Sequence, residues 1–109
     1  MKKCEIEIGE KTYSLYLTRS SVKDIESKGF NLQDFADKPI TMIDLLWYGG
    51  FIANHRDVNP TLSQKLFEQY EEEGGDTMEV INFLAESYTN FVSAPADTKL
   101  KKKAKITEA

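Results

Sequence analysis

Cys4-Glu-Ile-Glu-Ile-Gly-Glu-Lys-Thr-Tyr-Ser-Leu-Tyr-Leu-Thr18 decides the fold class. Two runs in it alternate apolar with polar residues, Cys4 to Ile8 and Tyr13 to Thr18, and both are rich in residues that suit a half-buried pleated surface. Between them Gly9-Glu10-Lys11-Thr12 supplies the turn. Because a one-residue slip turns every side chain to the opposite face, only some turn lengths are allowed. A four-residue turn pairs Ile8 with Tyr13, Ile6 with Leu15 and Cys4 with Leu17. A two-residue Gly9-Glu10 turn keeps the same parity but sets Ile8 opposite Lys11. The all-apolar pairing favours the four-residue turn. A hairpin alone is marginal in water, so its apolar face must rest on helices or on another chain.

Beyond the hairpin the pattern is helical. Ser20 or Ser21 is placed to cap a helix facing inward with Val22, Ile25 and Glu26, which stops at Gly29. Asn31 opens a short turn carrying Leu32 and Phe35, ended before Pro39. Thr41 with Asp44 is a capping pair for the most apolar stretch, Met42 to Ala53, which is apolar round much of its circumference and so reads as the central helix. Within it Gly49-Gly50 costs about 1 kcal/mol per glycine relative to alanine. Either another backbone approaches there, or the helix kinks.

Asn59-Pro60 restarts the chain as a helix with Leu62, Leu66, Phe67 and Tyr70 on one stripe, ending at Gly74-Gly75. Asp76 with Glu79 opens a last helix, striped by Ile81, Leu84, Tyr88 and Phe91 with Val80 and Val92 beside it. Pro95 ends the pattern. The expected architecture is therefore α+β: an N-terminal hairpin (4–18) packed on a bundle of about four helices within 20–92. A disordered lysine-rich tail is expected at 93–109.

The 109 residues fit one domain, 1–92, with the tail appended. No apolar run reaches the roughly 20 residues of a membrane span, and no apolar segment follows Met1-Lys2-Lys3 as a secretory leader requires. A single cysteine, Cys4, fits a reducing cytoplasm. The net charge of −4 is a sum of unlike parts: residues 93–109 carry five lysines against two acids, and the other residues nine Lys and Arg against sixteen acids, or −7. An acidic body is repelled by phosphate, which argues against nucleic-acid binding by the body.

Little here suggests catalysis. Cys4 and His55 stand alone of their kinds, so no multi-histidine or CxxC metal site can be built, and nothing flanking either marks a nucleophile–base pair. Neither glycine pair has phosphate-loop spacing. No metal, cofactor or catalytic residue is expected. Two features point instead to a partner. Trp47, Tyr48 and Phe51 cluster at the glycine pair, and aromatics anchor interfaces. Glu71-Glu72-Glu73 place three acids in the last turn of a helix, against its dipole, where they would suit a basic partner.

Together the parts resemble the small tail assembly chaperones of long-tailed phages and prophages of Gram-positive bacteria. The resemblance runs through residues 4–92. It is carried by Tyr13-Ser-Leu-Tyr-Leu-Thr-Arg19 leading to Ile25-Glu26, by Thr41-Met-Ile-Asp-Leu-Leu46, by Asn54-His55, and by Leu66-Phe-Glu-Gln-Tyr70 running into Glu71-Glu-Glu-Gly-Gly75. It implies a non-enzymatic, cytoplasmic protein, absent from the mature virion. Such a protein binds the tape measure protein and helps recruit tail tube subunits. It also implies a second, longer product made by ribosomal frameshifting near the end of the reading frame.

The residues suggest how such a client would be held. A groove between the Met42–Ala53 and Phe67–Phe91 helices would take an apolar helix of the client, with Trp47, Tyr48, Phe51, Phe67, Tyr70 and Tyr88 as apolar contacts and Glu71, Glu72 and Glu73 beside them. Open strand edges in the hairpin imply a homo-oligomer. An acidic regulatory or inhibitory module for a basic partner is the competing class, resting on Glu71–Glu73, Asp76 and Glu79.

Overall fold

In the computed structural model, which describes residues 2–93, the chain opens with the antiparallel pair β1 (Cys4–Ile8) and β2 (Lys11–Leu15). Four helices follow: α1 (Arg19–Ser27), α2 (Pro39–Ile52), α3 (Pro60–Glu72) and α4 (Thr77–Ser93). A short 3-10 turn, Leu32–Phe35, lies between α1 and α2. This is the expected α+β hairpin on four helices. The lysine-rich tail lies outside the described residues, apart from Ser93, which closes α4.

The hairpin register differs from the favoured one. Cys4 faces Leu15, Ile6 faces Tyr13 and Ile8 faces Lys11, so the turn is the two-residue Gly9-Glu10. Gly9 has φ +65° and Glu10 has no positive φ, the combination of a II′ hairpin turn, whose twist matches its strands. The apolar face survives, with Ile6, Ile8, Tyr13 and Leu15 all buried. Lys11 spans the mismatch by laying its ammonium 5.3 Å from the centre of the Tyr13 ring.

Helix boundaries follow local chemistry. Thr18, not Ser20 or Ser21, caps α1: its extended backbone lets Oγ1 accept from the Ser21 amide at 3.1 Å. Ser21 is itself buried, and Glu26, expected inward, is exposed. Gly29, at φ +107°, closes α1 with amides of Gly29 and Phe30 reaching the carbonyls of Glu26 and Ile25. The Asn31, Asn59 and Asp76 side chains each accept an amide at the next helical start, as their positions predict. Helix α2 begins earlier than Thr41, because Pro39 takes the first helical position, where its missing N–H costs nothing.

Helix α2 is the hub, touching α1, the 3-10 turn, α3, α4 and β2. Gly49-Gly50 does not break it. A Cβ on Gly49 would stand 3.0 Å from Ile25 Cγ2, and one on Gly50 would stand 3.1 Å from Leu84 Cδ1 and 3.4 Å from Leu15 Cβ. The pair therefore serves close approach from both sides. Beside it the Tyr16 amide donates to the Gly50 carbonyl at 3.2 Å. That carbonyl lies in the last turn of α2, where helical partners run out, so a strand-edge donor and a helix-end acceptor satisfy each other.

One core cluster runs from Ile6 through Leu15, Ile25, Leu46, Phe51 and Leu66 to Leu84 and Tyr88. Its density makes added volume costly. Gly50→Val should lower stability by about 1–3 kcal/mol in urea unfolding, since the valine methyls must enter space held by Leu84 and Leu15. A gain near the roughly 1 kcal/mol that helix propensity offers on replacing glycine would show that space is not what the position requires.

Candidate functional site

The expected partner face divides on folding. Trp47, Phe51 and Tyr88 are buried and cannot present a surface, which corrects their assignment. The Trp47 indole N–H donates to the Ser63 carbonyl at 2.8 Å, and its ring lies 5.1 Å from Phe67 and 5.4 Å from Phe51. Trp47 thus ties α2 to the first turn of α3 and needs a dry site to do it. The Tyr88 hydroxyl donates to Glu26 Oε2 at 2.7 Å, joining α4 to α1. Burial first, then that bond, push its pKa up to about 12.

Tyr48, Phe67 and Tyr70 are half-buried, and Glu71, Glu72 and Glu73 are exposed. Two of the three acids work within the chain. Glu73 accepts from the Gly9 amide through Oε1 and from Gln69 Nε2 through Oε2, both at 2.9 Å. The Gly9 amide, then Gln69, hold its carboxyl below the usual range. Glu71 Oε2 accepts from the Thr77 hydroxyl at 3.2 Å, across the turn between α3 and α4. The acids that oppose the helix dipole are stapling the end of α3 to its neighbours.

Of the groove expected between the Met42–Ala53 and Phe67–Phe91 helices, α2 and α3 enclose only a small hollow of about 280 Å³, lined by Ile40, Asp44, Gln64, Phe67, Glu68 and Glu71. The more apolar surface lies elsewhere. Residues Val80, Ile81, Leu84 and Tyr88 carry the buried stripe of α4, and its helical phase continues to Phe91 and Val92. By then the body beneath has ended. Phe91 is 37% exposed and Val92 52% exposed.

On one side of Phe91 is a groove of about 480 Å³ formed by Lys2, Leu17, Phe83, Glu86, Ser87, Asn90 and Phe91. On the other, Phe91 and Val92 border a hollow of about 170 Å³ against Arg19, Val22, Lys23 and Glu26 of α1. Ser87 to Ser93 carries no charge, in a body of net −7. An aromatic ridge between two hollows, depleted of charge, has the composition of an interface core. The sequence signal for it was the stripe itself running on to the Pro95 break; what it lacked was where the core stops.

The remaining candidate chemistry is dispersed. Cys4 is half-buried on the inner face of β1, where burial and then Glu79 push its thiol pKa up. His55 lies at the far edge of the hairpin, against Ser14, Tyr13 and Phe51. Among the described residues no group of three or more His, Cys, Asp or Glu could hold a metal ion, and no helix is long and apolar enough to cross a membrane.

Residues 1–108 match the model of the family described as a domain of unknown function (DUF5055), and the chain belongs to that family. No curated protein and no solved structure matches it.

His55 has a definite role at its own position. Its Nε2 accepts from the Ser14 amide at 3.1 Å, which requires the neutral ring with its proton on Nδ1. Burial first, then the Lys11 ammonium, lower its pKa, with Asp57 opposing. A lowered folded pKa means that the unfolded chain takes the proton first as pH falls. The contribution is therefore whole above the ordinary histidine pKa of about 6.5 and is lost below it. The urea midpoint should fall as pH drops through that range, and His55→Gln should remove this part of the fall. An unchanged profile in the variant would mean that other groups carry it.

Proposed function

We propose that the protein is a phage tail assembly chaperone that binds the tape measure protein and keeps it soluble while the tail is built. The observation that carries this reading is the uncharged ridge at the end of α4, with exposed Phe91 and Val92 set between two hollows of mixed lining on an otherwise acidic body. A tape measure protein is long, helical and apolar-faced, and it must not self-associate before the tube surrounds it. Helix-in-groove binding covers one apolar face with another, using anchors spaced one turn apart. The acidic excess of the body as a whole then leaves the complex with a net charge that keeps it dispersed. In this reading the protein acts in the host cytoplasm, is not an enzyme, and helps recruit tail tube subunits.

The resemblance through residues 4–92 supports the same reading, as does the lysine-rich run near Ala109, since lysine codons are A-rich and suit frameshifting. A tape measure gene immediately downstream would agree with it. The regulatory alternative has one favouring observation. Asp44, Glu68 and Glu71 ring Ile40 and Phe67 in the α2–α3 hollow, and Ile40 is 69% exposed. A basic segment with one apolar side chain fits that hollow. Pull-down from infected or lysogenic cells separates the two, tail proteins against a basic nucleic-acid enzyme.

Co-expression tests the main reading directly. The full chain should hold an otherwise insoluble tape measure fragment in solution, and Phe91→Glu should cut the recovered complex by about tenfold, the scale of an interface anchor. Phe91 is exposed enough for the variant to fold, whereas Trp47→Ala would test only stability. Failure of the unmodified chain to hold the fragment counts against the function. Full recovery with Phe91→Glu moves the site elsewhere.

A further inference from the structure

The two edges of the hairpin are treated differently. On β2 the outward amides are those of Thr12, Ser14 and Tyr16, and the last two are taken: Ser14 by His55 Nε2 at 3.1 Å, Tyr16 by the Gly50 carbonyl at 3.2 Å. Antiparallel pairing sets Glu5 opposite Ser14 and Glu7 opposite Thr12, so the main-chain groups of Lys3, Glu5 and Glu7 point outward along β1. No helix end or side chain closes that side among the hydrogen bonds of the described residues. The fold closes the β2 edge at Ser14 and Tyr16 and leaves the β1 edge as a template.

We propose that two copies of the chain join through β1 into a four-stranded antiparallel sheet, with Cys4 of each copy on the twofold axis. A closed pair of identical strands is related by a twofold axis and runs antiparallel. Only registers that bring outward residues together are possible, and centring on Glu7 sets that residue against itself. Centring on Ile6 sets Glu5 against Glu7 twice. Centring on Glu5 matches Lys3 with Glu7 but sets Glu5 against itself. Centring on Cys4 sets Lys3 of each copy against Glu5 of the other, with no like pair.

Lys3 and Glu5 are exposed, and each makes one weak contact within its own hairpin. The Lys3 ammonium lies 5.4 Å from the Tyr16 ring centre, and Glu5 accepts from the Ser14 hydroxyl at 3.3 Å. Charge complementarity therefore selects both the occupant, a second copy, and its register. The pairing is independent of the client reading, which uses the α4 ridge and not β1.

The register makes a covalent reporter available. Cys4 would face itself in a non-hydrogen-bonded pair, with Cα atoms about 4.5 Å apart, inside the range a disulfide spans. Sedimentation equilibrium of the reduced full chain up to millimolar concentration should show a monomer–dimer equilibrium. Lys3→Glu should weaken it by about tenfold, because two attractive cross-strand pairs become repulsive. Lys3→Glu/Glu5→Lys should restore it, since the swap keeps every pair opposite in sign.

Diamide at mildly alkaline pH, taking up the two thiol hydrogens, should link Cys4 to Cys4 in the unmodified chain and in the swap, and poorly in Lys3→Glu. Both positions are exposed, so the variants fold. A chain that stays monomeric at millimolar concentration overturns the proposal. So does a dimer indifferent to Lys3→Glu, or one that the double swap does not rescue.

Discussion

The junction between the end of α2 and the outer edge of β2 holds the rest of the molecule in place. Helix ends and strand edges share a problem: main-chain groups without partners. Here each supplies the other. The Gly50 carbonyl takes the Tyr16 amide, and His55, a few residues on, takes the Ser14 amide. A Cβ at residue 49 or 50 of α2 would crowd its neighbours at 3.0–3.4 Å. The two glycines seat Ile25 and Leu17 on one side and Leu84 and Leu15 on the other. The cost in helix propensity, about 1 kcal/mol per glycine, is small beside the 2–5 kcal/mol that removing any one of those buried leucines would forfeit.

Polar groups then fix elements that apolar packing alone would leave free to slide. Trp47 to the Ser63 carbonyl sets α3 against α2, Tyr88 to Glu26 sets α4 against α1, and Glu73 to the Gly9 amide sets the hairpin turn against the end of α3. No buried side-chain nitrogen or oxygen among the described residues lacks a partner. Such contacts add modestly to net stability but penalise any arrangement that breaks them, which is how they specify one packing.

Most of the element plan was legible because it rests on local chemistry: alternation for the strands, Asn31, Asn59 and Asp76 at helix starts, Gly29 and Gly74 at helix ends. What was not legible depended on distant residues. Parity permits two turn lengths, and a glycine conformation together with Glu73, sixty-four residues away, accompanies the shorter. Trp47 reads equally as anchor or core until Ser63 is seen to accept from it. Glu71 and Glu73 look misplaced at a helix end until the groups they bind are known. Phe91 sits in phase with buried residues, and nothing local says that the body has ended beneath it.

The hairpin depends on elements made long after it. Its turn is held by Glu73, its inner face approaches Leu84 through the gap at Gly50, and its outer edge waits for the end of α2. Two strands without that floor are marginal in water. During synthesis, therefore, the hairpin is made before the helices it rests on and cannot settle until α4 has emerged. Its contacts close large loops, so assembly is slower than for a helical bundle of this size. The hairpin and the helices beneath it therefore settle together, late in folding.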